Sequence, residues 1–513
     1  MPARTPALDI QIDRQRPQPI YLQICERFRT AIAAGHLRPG DRVPALRSLC
    51  AQLNTARGTV ELAYTILVDE GYLQMRGAAG TFVSPSLPPS IVHSTYGTGH
   101  QTPQGVPHTG RTNVERADPA KSSTASPSRP APPHVAITVA MSGEPRPLQA
   151  GQPALDAFPR KIWSRLVSLR VRSGDRAMLS CPDPMGYRPL RERIATYLGL
   201  SRGVTCLPEQ VFVTGGYRAT LELVLRSLAK PNDRVWFEEP GYLLARDFLS
   251  ESGMQFVPVP VDDEGIDVER GIQLDPEARF ALVTPSHQSP LGHTLSLARR
   301  LALLNWAEKA SRWIIEDDYD SEFRYSGRPL PALKSLDRHD RVIYCGTLSK
   351  LMFPGLRLAY AVVPERAVER VARVACSMNT GSPALFQAAV ADFMAQGHFA
   401  RHVKRMRTLY GQRRVWITQA LTQAFGERMR LDLPHGGIQF AVQFPEGPHG
   451  PVDDVAVAAR ASEAGLAVLP LSSWYANGHT PHTPRGLVLG FANVADAGEA
   501  TRLAQTLRAC LDD

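Results

Sequence analysis

The stretch Tyr344–Cys345–Gly346–Thr347–Leu348–Ser349–Lys350, followed by Phe353–Pro354–Gly355–Leu356–Arg357, decides how the larger part of this chain is read. Val342–Ile343–Tyr344 is a short continuous apolar run, the pattern of a strand buried on both faces. A lysine just past such a strand, in a Ser-Lys pair, stands where desolvation lowers its pKa and frees the amine for Schiff-base chemistry. Arg357 is suited to hold a phosphate as a charge-assisted pair. Taken alone, a Ser-Lys pair is more simply a surface lysine after a strand, so the reading depends on what surrounds it.

Further pieces lie upstream. Thr214–Gly215–Gly216–Tyr217–Arg218 opens a helical run from Ala219 to Ala229. Glycines at a helix start leave free N–H groups and the positive end of the dipole for a phosphate, which makes Gly216, Tyr217 and Arg218 candidates to bind one. Glu239–Pro240–Gly241–Tyr242 follows the apolar run 234–237, and Tyr242 suits stacking on a pyridine ring. Glu316–Asp317–Asp318–Tyr319–Asp320 follows the run 313–315. A carboxylate against a pyridine nitrogen keeps it protonated, the role given to Asp317, while Tyr319 would hydrogen-bond the ring's phenolic oxygen. An acidic surface turn or a metal site would also account for that run, although no histidine is near in sequence. With Thr347, Ser349, Lys350 and Arg357, these residues form a candidate pyridoxal 5′-phosphate (PLP) site. No metal site is indicated. Short apolar strands at 211–213, 234–237, 280–283, 313–315 and 342–344 alternate with helical patterns over residues 136–513, the pattern of an α/β domain with a mostly parallel sheet.

The first 84 residues read differently. A short alternating run, Leu8 to Ile12, looks like a strand. Leu22, Ile24, Phe28 and Ile32 have helical spacing over residues 20–34, and Gly35, Pro39 and Gly40 end that helix. Two more helices are expected at about 45–53 and 56–70. A hairpin follows, with strands 72–75 and 80–83. Three helices and a hairpin make a winged helix-turn-helix, whose third helix enters the major groove. Thr55, Arg57 and Thr59 stand at the start of that helix, Arg47 on the helix before it, and Arg76 and Gly80 in the wing. Arginine suits bidentate contacts to phosphate or guanine.

Between the two parts, residues 85–135 are rich in Pro, Ser, Thr, Gly and His, and read as a flexible linker. The net charge of +9 permits binding to nucleic acid but does not require it. The seven cysteines are scattered and form no CxxC pair, which points to reduced thiols in the cytoplasm. No apolar run is long enough to span a membrane.

The stretches Ile20–Tyr21–Leu22–Gln23–Ile24, Gly35–His36–Leu37–Arg38–Pro39–Gly40–Asp41–Arg42–Val43–Pro44, Arg47–Ser48–Leu49 and Gly80–Thr81–Phe82–Val83 resemble the GntR family of bacterial regulators. Ala45 and Ala56 stand where that family usually has serine, and Gly58 where it has a polar residue. The glycine turn, Tyr242, Asp317, Lys350 and Arg357 occur in the order of fold-type I PLP enzymes. Thr284–Pro285–Ser286–His287–Gln288, Pro290, Gly292 and the run 316–325 resemble the MocR subfamily of GntR regulators. That resemblance implies a transcription regulator with PLP linked to Lys350, double-stranded DNA with repeated half-sites as partner, a small-molecule effector, and a head-to-tail domain-swapped homodimer. The effector would be PLP itself or an amine. A working aminotransferase with a vestigial head is the alternative. Aminotransferases carry a carboxylate-binding arginine two residues before a Gly-Phe pair. Here that position is Val488, with Arg485 nearby on a turn.

Overall fold

The computed structural model describes residues 12–14, 20–33, 36–69, 72–77, 80–84, 143–326, 331–378, 381–446, 451–476, 480 and 483–512. The linker expected at 85–135, and the strand expected at Leu8–Ile12 apart from Ile12, lie outside them. Ile12 itself is not in a strand.

In the head, α1 (Ile20–Ala33), α2 (Leu46–Leu53) and α3 (Arg57–Asp69) precede a hairpin of β1 (Leu73–Met75) and β2 (Thr81–Val83). The helix starts and ends fall within about a residue of the expected ones, because glycine, proline and asparagine punctuate them. Ile24, Phe28 and Ile32 recur every fourth residue, which puts them on one face of α1. That face is buried against Val60, Ala63 and Leu67 of α3. Phe28 and Tyr64 meet edge to face, with ring centroids 5.4 Å apart. Asn54 adopts the left-handed conformation that ends α2, and the Arg14 guanidinium donates to the Asn54 carbonyl at 2.6 Å. Carbonyls at the helix end thus find donors both in the backbone and in the Arg14 side chain.

The body is built on an eight-stranded sheet. Its strands are β3 (Val211–Thr214), β4 (Arg234–Glu239), β5 (Gln255–Asp262), β6 (Gly265–Ile266), β7 (Phe280–Val283), β8 (Trp313–Asp318), β9 (Val342–Thr347) and β10 (Ala359–Val362), in the order β3-β10-β9-β8-β7-β4-β5-β6. The ladders β5–β4–β7–β8–β9 are parallel, whereas β10 runs antiparallel to both its neighbours. Both faces are covered. Val211 and Val213 enter one apolar cluster and Phe212 the other, as the two-residue period of a strand requires. A second, antiparallel sheet contains β11 (Arg430–Leu431), β12 (Gln439–Gln443), β13 (Leu469–Pro470) and β14 (Gly486–Gly490), in the order β11-β12-β14-β13. The loops after β3, β4, β7, β8 and β9 all leave the same edge of the large sheet, the edge where open α/β sheets bind ligands.

Two features tie the parts together. Beneath that edge, Arg202 Nε donates to Asp318 Oδ2 at 2.8 Å, and the Tyr344 hydroxyl donates to the same oxygen at 2.6 Å. Both charged side chains are 2% exposed. The head core, in turn, packs against Leu297 and Leu301 of the helix Leu297–Lys309, and the Tyr21 hydroxyl donates to the Leu200 carbonyl at 3.1 Å. Among the described residues no helix is long and apolar enough to cross a membrane.

Removing one partner of a buried ion pair strands the other charge, at a cost of about 3–5 kcal/mol. Arg202→Ala is therefore expected to lower the urea midpoint of the body's unfolding by that equivalent. A change worth less than about 1 kcal/mol, the size of a surface pair, would contradict this.

Candidate functional site

Strand alternation sorts the acidic run. Glu316 points into the fold and accepts the backbone N–H groups of Leu333 (2.7 Å) and Lys334 (2.8 Å). Asp318 holds Arg202. Asp320 accepts from the Ile438 N–H at 3.1 Å and faces His287 Nδ1 at 2.9 Å. Asp317 and Tyr319 instead line a cavity of about 300 Å³.

The same cavity brings together most of the residues singled out in the sequence. Tyr217, Tyr242, Asp317, Tyr319, Thr347, Ser349, Lys350 and Arg357 all line it. The Lys350 amine donates to the Gly151 carbonyl at 2.7 Å. Burial pulls this amine down to about 8, against the opposing charges of Asp320 and Asp317. Burial also pushes the Asp317 carboxyl up to about 8, and Asp318, Glu238 and Asp320 add to the rise. The neighbouring Tyr217 hydroxyl acts in the other direction. Tyr319 is raised by burial and by Asp320, and its hydroxyl lies 3.1 Å from His287 Nδ1. The Ser349 N–H donates to Thr347 Oγ1 at 3.2 Å, which shapes the turn before Lys350.

Gly216 caps the helix Tyr217–Leu228 at φ 120°, a conformation other residues rarely adopt. A Cβ there would lie 2.8 Å from Arg357 Nη2, so glycine is also needed for the guanidinium to reach the helix start. Arg218 departs from expectation. Its side chain lies over the Phe248 ring (5.2 Å) and pairs with Glu251 outside the cavity. Only its backbone remains at the helix start.

Sequence reading missed part of the wall. Gln149, Ala150, Gly151, Gln152, Leu243, Leu244, Ser289, Pro354, Gln439, Leu469 and Trp474 also line the cavity. Gly151 has φ 68°, and a Cβ on it would lie 2.4 Å from Lys350 Nζ. Gln149–Ala150–Gly151–Gln152 carries no periodic pattern that could have signalled this. Ser289 lies within the MocR-like motif, between Gln288 and Pro290, where nothing local marks it as cavity wall.

In the head, Arg47, Arg57 and Arg76 are exposed. Among the described residues no carboxylate pairs with Arg47 or Arg57. Arg76 lies over the Phe82 ring at 5.0 Å and donates to Gln74. Gly80 takes φ 104°, with the Arg42 guanidinium against it. Thr59 is half-buried at the start of α3. The Thr55 hydroxyl donates to the Leu53 carbonyl at 3.0 Å, so it closes the turn between α2 and α3.

Comparison with known proteins matches residues 20–83 to the gntR family of bacterial regulatory proteins and residues 148–481 to aminotransferase class I and II. The chain is 35% identical over 483 residues to MocR of Rhizobium meliloti, a probable rhizopine catabolism regulatory protein, covering 94% of this chain and 92% of that one. The chain is a MocR-type regulator of the GntR family. Another MocR-type relative, the pyridoxine biosynthesis transcriptional regulator PdxR of Corynebacterium glutamicum, is 32% identical and covers 95% of each chain. Among solved structures, the body is similar to LysN, the α-aminoadipate aminotransferase of Thermus thermophilus complexed with N-(5′-phosphopyridoxyl)-L-leucine. That likeness has a TM-score of 0.66 and 26% identity, over 75% of this chain and 95% of that one.

The cofactor that MocR-type regulators with such a body imply is PLP, and the residues present fit it. Asp317 is a buried carboxyl in want of a cation, Lys350 is a desolvated amine, and Arg357 sits at a helix N-terminus. When bound, PLP supplies an electrophilic carbon and an electron-withdrawing ring.

An ordinary lysine titrates near about 10.4, so a fall to about 8 greatly raises the neutral fraction at neutral pH. The rate at which the cofactor-free protein takes up PLP, followed by its yellow absorbance, should rise with pH and level off above about 8. Asp317 favours the protonated amine, so Asp317→Asn should move the rise to lower pH. A rise displaced to higher pH would contradict the assignment.

Proposed function

We propose that this transcription regulator holds PLP through Lys350 and reports the state of that cavity to its DNA-binding heads. The observation that carries the reading is the meeting of Lys350, Asp317, Tyr319 and Arg357 in one cavity of a chain that also bears an Arg-studded winged helix. In it, Lys350 forms the covalent link and Arg357 holds the phosphate, with the N–H groups at Gly216 and Tyr217 beside it. Asp317 faces the ring nitrogen, Tyr319 and Ser289 face the ring oxygen, and Tyr242 lies against the ring. Thr347 and Ser349 shape the phosphate side.

The head binds double-stranded DNA. Arg47, Arg57 and Thr59 reach the major groove, with Thr55 ordering the turn before them. Arg76 and Gly80 bring the wing to the backbone. The protein works in the cytoplasm, where the chromosome is. Its effector is PLP itself or an amine that reacts with it. Occupancy alters operator binding only if it favours one head arrangement over another. A physical connection for this exists in the fold. Ser289 lines the cavity, and the same loop runs on to Ser296, whose hydroxyl accepts the Arg299 N–H and starts the helix whose Leu297 and Leu301 touch the head core. An apolar surface of this kind can take the chain's own head or that of a second copy. We favour a head-to-tail homodimer in which each head rests on the partner's body, because paired heads suit repeated half-sites.

A working aminotransferase is the second reading, favoured by the intact Lys350, Asp317 and Tyr319. Val488 speaks against it, since a fully buried valine holds no carboxylate, and Arg485 lies against Asp454 at 3.7 Å and does not line the cavity.

The test is fluorescence anisotropy with the chain's own upstream intergenic DNA at fixed salt, with and without PLP. PLP is expected to shift specific binding. Lys350→Ala should abolish the shift, and so should Leu297→Ala combined with Leu301→Ala, while the PLP absorbance of the latter persists. Specific DNA binding that no ligand state alters, or sustained transamination without any DNA binding, would overturn the reading.

A further inference from the structure

The charge inventory of the cavity narrows its ligand. Among the described residues that line it, only Lys350 and Arg357 are basic. Neighbouring arginines are engaged elsewhere. Arg218 pairs with Glu251, Arg246 donates to the carbonyls of Ser473 and Trp474, and Arg485 lies against Asp454. Under the function proposed above, on which this inference rests, Lys350 and Arg357 are both committed to the cofactor. A carboxylate on the effector would then be buried without a cation of its own. Burying such a charge unpaired is costly.

The small sheet shows what takes a cation's place. In the register of β12, β14 and β13, Gln439 lies opposite Gly490, and Val488 lies opposite both Ala441 and Leu469. Gln439 and Ala441 are two residues apart and share a face, as do Gly490 and Val488. Gln439 and Leu469 line the cavity, so Val488 belongs to the face turned toward it. Val488 is fully buried in an apolar cluster with Ala150, Leu243, Leu471 and Trp474, and three of these are themselves cavity wall. The polar groups beside this wall, Gln149, Gln152 and Gln439, are neutral. The Trp474 indole N–H is buried without a partner among the described residues.

We propose that the effector is a primary amine with an apolar, carboxylate-free body, an alkylamine or arylalkylamine, seated against the wall of Leu243, Leu469 and Trp474. The amine is needed because Lys350 holds the cofactor through a carbon–nitrogen bond. Lys350 yields that bond to the ligand's nitrogen and leaves as a free amine. One carbon–nitrogen double bond breaks as another forms, and the step consumes no oxidant, reductant or water.

Matched ligand pairs test this directly. The full-length protein loaded with PLP is titrated with phenethylamine against phenylalanine, and with isoamylamine against leucine. Two signals are followed, the absorbance of the bound cofactor and the anisotropy of the upstream DNA. Each amine should act at a concentration at least about tenfold below that of its amino acid, a difference of about 1.4 kcal/mol. Val488→Arg should bring the amino acids to at least the level of the amines. The comparison in the unaltered protein stands even if that variant fails to fold. Amino acids acting as well as their amines, or neither class acting on a PLP-loaded protein, would overturn this proposal alone. A protein that never acquires the PLP absorbance would overturn the functional reading, and this proposal with it.

Discussion

Asp317 is buried at the carboxyl edge of the sheet, where burial pushes its carboxyl up to about 8 and the nearby Tyr217 hydroxyl pulls the other way. An ionised carboxylate in such a place is expensive unless a cation faces it. The body is arranged around that cost. Asp318, one residue on and turned to the other face, has its cation in Arg202, and Glu316 has two backbone N–H groups. Asp317 alone of the three is turned into the cavity, where the protonated nitrogen of a pyridine ring would answer it. The burial that raises Asp317 also lowers Lys350, so one cavity prepares both groups for the same cofactor.

What makes the site more than an inherited enzyme pocket is its connection to the head. The loop after β7 contributes Ser289 to the cavity wall. A few residues later the chain enters the helix whose first turns support the apolar core of the winged helix. A displacement of that loop by a ligand has a short, packed route to the DNA-binding surface. Packed interfaces of this kind tend to occupy discrete arrangements, which is what a switch needs. Of the described residues that line the cavity only Lys350 and Arg357 are basic, and Val488 stands where aminotransferases carry a carboxylate-binding arginine.

Much of this was legible in the sequence, and for local reasons. The strands β3, β4, β7, β8 and β9 are buried on both faces and therefore read as continuous apolar runs, and the site loops follow from knowing where those strands end. The head helices were bounded within about a residue because their ends carry Gly, Pro or Asn. The antiparallel strand β10 and the small sheet were not foreseen, since their pairing is set by distant partners and not by local pattern. Gly151, Gln439 and Trp474 were missed for the same reason. They come from opposite ends of the body and meet only in the folded chain. Arg218 was misjudged because its position fixes only its backbone, whereas Glu251 and Phe248 decide where the guanidinium goes.

The central claim is that the cofactor cavity and the DNA-binding face share one equilibrium. Such coupling is reciprocal by thermodynamic necessity. If PLP changes operator affinity by some factor, operator DNA must change PLP affinity by the same factor. The most direct measurement is therefore the equilibrium affinity for PLP with and without saturating operator DNA, set beside the operator affinity with and without PLP. The account predicts equal factors in the two directions, both reduced to unity when Leu297 and Leu301 are replaced by alanine. A PLP affinity indifferent to specifically bound operator would contradict it.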